Sequence, residues 1–118
     1  MEISYIAGFF DGEGCIHITK SQSSGGYNLR VSISQRKKEP LIEIQKIFGG
    51  KIYGNGKRAY AWEAGRKEIA YSFLIAVLPF LFLKKKQAQV GLMFLEYKHT
   101  WHTGERELCR KILKILKE

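Results

Sequence analysis

Ile6-Ala7-Gly8-Phe9-Phe10-Asp11-Gly12-Glu13-Gly14 is the stretch whose reading decides the fold. Ile3, Ile6, Ala7 and Phe10 recur at helical spacing and form one apolar stripe. Gly8 sits inside that helix, where glycine costs about 1 kcal/mol relative to alanine. The cost is understandable if a second backbone approaches there, as small residues permit. Two acids, Asp11 and Glu13, then alternate with two glycines that end the helix. Negative side chains at a helix C-terminus oppose the macrodipole. A cation would relieve that conflict. Solvated acids in a Gly-rich turn are the plainer alternative, and spacing alone leaves both open.

The nine residues resemble the signature of the LAGLIDADG homing endonucleases. The match is gapless: Ala7, Gly8, Asp11 and Gly14 agree letter for letter with the motif name. Ile6, Phe9 and Phe10 are apolar replacements, Gly12 a small one, and Glu13 exchanges one acid for the other. Tyr5 before the motif and Cys15-Ile16 after it suit a helix running into a strand.

The chain has 118 residues, enough for one domain (residues 1–118) with a modest core. A 45% hydrophobic content argues against disorder. Cys15 and Cys109 make neither a disulfide framework nor a zinc site, and His17, His99 and His102 add no ligand spacing. No basic leader follows Met1, and the apolar run from Phe73 to Leu83 contains Pro79 and is too short to span a bilayer. A soluble, intracellular, thiol-reduced protein is expected, cytoplasmic or organellar, with no membrane partner. Twenty Lys and Arg against eleven Asp and Glu leave a net charge of +9. Such a balance favours a polyanion, most often nucleic acid.

After the motif, Cys15 to Lys20 reads as a strand and the Gly/Ser-rich 21–26 as a hairpin connection. Tyr27 to Gln35 is a second strand in which Leu29, Val31 and Ile33 alternate with Asn28, Arg30, Ser32 and Ser34. That pattern gives an antiparallel sheet with one polar face. The face meets water, or reads base edges with its Asn, Arg, Ser and Thr groups. Arg36-Lys37-Lys38 precedes a helix opened by Glu39-Pro40, carrying Leu41, Ile44, Ile47 and Phe48 and stopped by Gly49-Gly50. Lys51 to Tyr53 and Arg58 to Ala64 pair as strands about a Gly54-Asn55-Gly56 turn. In the second of these, Arg58, Tyr60 and Trp62 share one side and Ala59 and Ala61 the other. The resemblance implies that the aromatics lie on the ligand face, and the alanines would fit closely under a helix; aromatics turned into the core are the alternative. Arg66 to Leu78 is a helix with Ile69, Phe73, Leu74 and Val77 inward. Another runs from Lys84 to Tyr97 on Ala88, Leu92 and Leu95. A loop from Lys98 to Gly104 holds Trp101. Thr103 then caps a last helix, Glu105 to Leu116, with Leu108, Ile112, Ile115 and Leu116 packed inward.

This order agrees with the α-β-β-α-β-β-α pattern of the LAGLIDADG fold, an α+β architecture whose antiparallel sheet forms a DNA-binding saddle. The resemblance extends to about residue 97, and the acidic signature occurs once. It therefore implies a homodimer, with Ile6, Ala7, Gly8 and Phe10 of two motif helices packed across a two-fold axis and two Glu13 carboxylates brought together. Like charges so close require protonation or a bridging cation, and oxygen ligands with phosphates suit Mg²⁺ or another divalent ion. The implied activity is metal-dependent double-strand cleavage of DNA at a long, roughly palindromic site by an intron-type nuclease. Glu13 and the Gly12 carbonyl are the implied metal ligands. Glu13, Gln35 and Lys84 are the implied catalytic residues, with Lys86 in reserve for Lys84. Asp11 is expected to support the helix ends. DNA contacts fall to His17, Thr19, Asn28, Arg30, Ser32, Arg58, Tyr60 and Trp62. Some family members carry a basic residue early in the second helix. Here Glu39 stands there, and Arg36, Lys37 or Lys38 is left for that role. A different class on the same fold is an RNA-splicing maturase or a DNA-binding regulator, for which RNA is a further partner.

Overall fold

The apolar stripe of the opening segment packs a helix, α1 (Ile3–Glu13), onto a four-stranded antiparallel sheet. The computed structural model describes residues 1–54, 57–97 and 102–117. Within these, α1 runs directly into β1 (Gly14–Lys20), then β2 (Tyr27–Gln35), α2 (Glu39–Phe48), β3 (Lys51–Tyr53) and β4 (Tyr60–Glu63). Next come α3 (Lys67–Val77), a 3₁₀ turn (Leu78–Phe80), α4 (Lys85–Tyr97) and α5 (Thr103–Leu116). Asn55 and Gly56 of the β3–β4 turn, and Lys98 to Trp101 before α5, lie outside the described residues.

The strands are ordered β1-β2-β4-β3, every neighbour antiparallel. Register follows the two-residue alternation of a strand. Ile16, Ile18, Tyr27, Val31, Ile33 and Trp62 point to the helical side and are buried. Cys15, His17 and Thr19 of β1, with Asn28, Arg30, Ser32 and Ser34 of β2, take the other side. There His17 stands opposite Arg30 and Thr19 opposite Asn28. The core gathers around Phe73 of α3. Its ring meets Phe10 and Phe48 edge-on at 5.0 and 5.1 Å and leans on Trp62 at 4.9 Å. Edge contacts of this kind add about 0.5–1.5 kcal/mol each beyond burial.

Two glycines hold these connections together. A Cβ on Gly14 would clash with the edge of the Phe10 ring and fall 2.6 Å from the Phe10 carbonyl oxygen, so the step from α1 into β1 has no room for a side chain. Gly50 has φ of 94°, and a Cβ there would fall 2.6 Å from the Glu63 carbonyl oxygen. Here α2 turns into β3 beside β4, in a backbone region glycine alone enters at low cost.

Three sequence expectations change at this level. Trp62 is fully buried, and its indole Nε1–H donates to the Gly49 carbonyl at 2.9 Å. Tyr60, two residues earlier, turns the same way and is half-buried against the core. Both therefore leave the ligand face, and Arg58 remains exposed ahead of β4. The register supplies the cause, because Trp62 pairs with Ile52, the inward residue of β3. On α5, Cys109 and Leu113 form the buried line while Leu108 and Ile115 stand exposed. Helix α5 lies against β1 and α4, and only a narrow stripe of it is covered. Its N-cap is His102, whose N–H reaches the Glu105 carboxylate at 3.4 Å. Thr103 is already helical.

Candidate active site and nucleic-acid face

Helix α1 delivers its two acids to one end of the sheet, where their surroundings separate them. Asp11 Oδ2 accepts the backbone N–H groups of Phe82 and Leu83 at 2.8 and 2.9 Å, and Oδ1 accepts that of Lys84 at 2.8 Å. These are the unpaired donors that precede and open α4. A carboxylate there satisfies them and suits the positive end of the helix. Burial works to raise the Asp11 pKa. The three N–H donors and the Lys84 cation outweigh it and hold the carboxyl below its ordinary 3.8. Asp11 thus ties α1 to α4, in keeping with the supporting part expected of it.

Glu13 is exposed, and no ion pair with another described residue engages it. Lys84 is half-buried beside the same helix end, its Nζ donating to the Asp11 carbonyl at 2.6 Å. Gln35 closes β2. Because Gly14 pairs with Ile33, the end of β2 lies level with the end of α1. The Gln35 Oε1 accepts the Arg36 N–H at 2.7 Å. One end of the molecule therefore carries Glu13, Lys84 and Gln35 together. Lys86 is exposed on α4, and Arg36, Lys37 and Lys38 are exposed between β2 and α2. The Lys38 ammonium lies 5.6 Å from the centre of the Tyr60 ring.

The donor set fits a hard cation only in part. Glu13 offers a carboxylate, Gly12 is exposed with its carbonyl in the last turn of α1, and Asp11 is committed to backbone amides. Among the described residues no group of three or more His, Cys, Asp or Glu gathers to hold a metal. One chain brings too few oxygens to enclose an ion. A cation that keeps water and phosphate among its ligands, as Mg²⁺ does, suits such a site.

The outward side of α1 is the second part of the arrangement. Ile6, Ala7 and Phe10, expected to meet a second copy, have no accessible surface and are spent on the chain's own core. Gly8 and Gly12 face outward instead, and a Cβ on either meets nothing within 4 Å. Tyr5 flanks them, 62% exposed. Close by, Phe82 (86% exposed) and Leu83 (68%) stand on the turn that Asp11 holds. No backbone among the described residues makes the expected close approach to Gly8, and the outward stripe is two glycines beside an exposed tyrosine.

The open face of the sheet carries His17, Thr19, Asn28, Arg30 and Ser32 as expected from alternation. Three further residues join them from the register: Lys51, Tyr53 and Glu63. Burial lowers the His17 imidazole below its ordinary 6.5. The cations Lys117 and Arg30 push it further down, against a smaller pull from Glu63. Lys117, near the end of α5, also reaches Cys15 Sγ at 3.6 Å. The C-terminal helix therefore places a cation beside the open face. Nothing in its own sequence pattern announced this, since the placement depends on how α5 docks against β1.

The family model described as LAGLIDADG endonuclease matches residues 6–90. An intron-encoded DNA endonuclease of Dictyostelium discoideum is 34% identical over 73 residues, 58% of this chain and 28% of that protein. The chain thus matches under a third of that relative's length. Among solved structures, the homing endonuclease I-CvuI, crystallised with a DNA target and magnesium, superposes with a TM-score of 0.81 at 26% identity. The match covers 97% of this chain and 80% of that one. I-SmaMI, bound to an uncleaved DNA target with calcium ions, superposes with a TM-score of 0.70 at 17% identity, over 85% of this chain and 38% of that one. At that identity the likeness is one of fold.

Proposed function

This chain belongs to the LAGLIDADG endonuclease family, and from that premise we propose that two copies of it cut both strands of a DNA duplex in a reaction dependent on a divalent cation. The observation that carries the reading is the division of labour between the two acids. Asp11 is consumed by three backbone amides, whereas Glu13, two residues on, is exposed at the same helix end with Lys84 beside it.

A second copy completes the site. The outward stripe of Tyr5, Gly8 and Gly12 lets two α1 helices approach closely, with Phe82 and Leu83 covered at the margin. Each Glu13 then lies near the symmetry axis. This chain's match to 38% of I-SmaMI supports the same assembly, since two such units approach the length of that larger protein. Two-fold symmetry requires a roughly palindromic target. The dimer doubles the +9 charge of the chain, which draws a duplex to the open sheet faces and makes affinity fall with salt.

Glu13 and the Gly12 carbonyl hold the cation, Mg²⁺ being the ion their oxygen chemistry suits. When bound, the ion lends positive charge to the phosphodiester and to the departing 3′ oxygen. Lys84 adds a fixed cation at the scissile phosphate, steadied by the Asp11 carbonyl. The Gln35 amide orders the attacking water by hydrogen bonding. His17, Thr19, Asn28, Arg30 and Ser32 face the bases, and the surrounding lysines hold phosphates.

The test pairs Glu13→Gln with the unaltered protein, on duplexes selected for cleavage from a randomised library in Mg²⁺. The variant is expected to cut on the order of a thousandfold more slowly, with duplex affinity retained. Cutting that survives chelation of all divalent ions, or full activity in Glu13→Gln, contradicts the proposal.

A further inference from the structure

An acid on a surface that receives a polyanion is an anomaly, and Glu63 is one. It ends β4, opposite Ser32 of β2 and Lys51 of β3, in the middle of the open face. Its carboxylate Oε1 lies 2.8 Å from Arg30 Nε. The Glu63 side chain is 20% exposed and that of Arg30 56%, so the carboxylate is the sheltered partner and the guanidinium reaches outward. As a stabilising pair this is worth little, because solvent around the guanidinium screens the attraction. As repulsion against phosphates, the acid lowers affinity. Its placement calls for a different account.

The geometry provides one. Binding through Nε–H fixes the plane of the guanidinium and leaves its Nη groups directed outward as a fork. An unrestrained arginine finds phosphates as readily as bases. One held at its root loses that freedom before the ligand arrives and presents its fork in a single direction. In the major groove, the base edge that matches a forward-facing guanidinium is guanine, with acceptors at O6 and N7. We propose that Glu63 is a positioning residue that aims Arg30 at one guanine in each half of the bound duplex. The inference rests on the DNA-cleaving reading above and adds to it the base that one residue reads. Cost and benefit then agree: Glu63 gives up affinity for every sequence and gains discrimination at one base pair.

The test is a binding selection from a randomised duplex library with the full chain and with Arg30→Ala, Arg30→Lys and Glu63→Gln. The unaltered protein should enrich a guanine at one position per half-site, preferred about tenfold or more over other bases. Arg30→Ala should erase that preference while the remaining positions keep theirs. Arg30→Lys should restore charge and general affinity but not the preference, since an ammonium is not a fork. Glu63→Gln should weaken the preference severalfold and leave general affinity equal or higher. That split separates positioning from a structural role, which would lower binding to all sequences together. Melting curves of each variant should stay near that of the unaltered protein, as an exposed pair allows. A Glu63→Gln protein that keeps the guanine while gaining affinity uniformly would overturn the inference. So would an Arg30→Ala protein weakened equally on every sequence. Failure of the unaltered protein to enrich any duplex would instead remove the DNA-cleaving reading, and this inference with it.

Discussion

Along α1, the inward side carries Ile6, Ala7 and Phe10 with no accessible surface, and the outward side carries Tyr5, Gly8 and Gly12 in the open. The inward side is built for bulk and fills space between sheet and helices. The outward side is built for absence: nothing among the described residues comes within 4 Å of a Cβ on either glycine. A helix that accepts two glycines loses about 1 kcal/mol at each relative to alanine. The inward face explains why the helix is there at all. The outward face has no such role among the described residues, and the proposed second copy supplies one. The two acids repeat the contrast, Asp11 tied inward to the start of α4 and Glu13 exposed.

The strongest way to break the inward side is Phe10→Ala. It removes a buried ring that packs on Phe73 at 5.0 Å, and a loss of about 3–5 kcal/mol is expected. Chemical denaturation measures it directly. A loss below 1 kcal/mol would mean that α1 is not anchored as described.

Asp11→Ala should cost less, about 2 kcal/mol, by orphaning three amide donors at the start of α4. The pH dependence has a definite sign. The folded carboxyl titrates below its ordinary 3.8, so its contribution is complete above the unfolded value and fades as pH falls through the lower folded one. Denaturation midpoints between pH 6 and pH 2 should therefore converge for the unaltered protein and Asp11→Ala. Midpoints that stay parallel across that range would show that the carboxylate does not carry the link.

Gly8→Ala gives the smallest effect and sharpens the comparison most. On a free helix surface it adds up to about 1 kcal/mol of stability. Against a second backbone it intrudes. Thermal melts at low protein concentration should show equal or higher stability, while self-association weakens severalfold. Unchanged association would place the helix contact elsewhere.

Much of this was legible from the residues. The helix-to-strand passage at Gly14, the alternation in β1 and β2 and the apolar faces of α3 and α4 follow from spacing alone; on α2, Leu41 and Ile44 are buried as expected, but Ile47 is 47% exposed. β2 runs from Tyr27 to Gln35 as read. Two matters were not legible, for one reason: periodicity tells which residues share a side, not which side faces in. Tyr60 and Trp62 shared a side with Arg58 in the alternation, and small alanines looked suited to the space under a helix. The deciding signal lay on the neighbouring strand, where Ile52 between Lys51 and Tyr53 marks the inward side and pairs with Trp62. The indole also required an acceptor, which Gly49 provides. Similarly, the resemblance implies that the apolar stripe of α1 meets a second copy, whereas Ile6, Ala7 and Phe10 fill the chain's own core. Gly8 and Gly12, one turn apart, were the residues left to face outward. Asp11 as the supporting acid agrees with its three amide contacts. Glu63 carries no signal in the sequence, because no spacing conveys its 2.8 Å distance to Arg30.

The proposed cleavage depends most on α1 meeting its own copy, and sedimentation equilibrium of the purified protein, free and on a short cleavable duplex, tests this most directly. The prediction is a complex containing twice the 13.6 kDa chain mass on one duplex, reduced in Gly8→Leu together with cleavage. A single chain per duplex that still cuts both strands would contradict it.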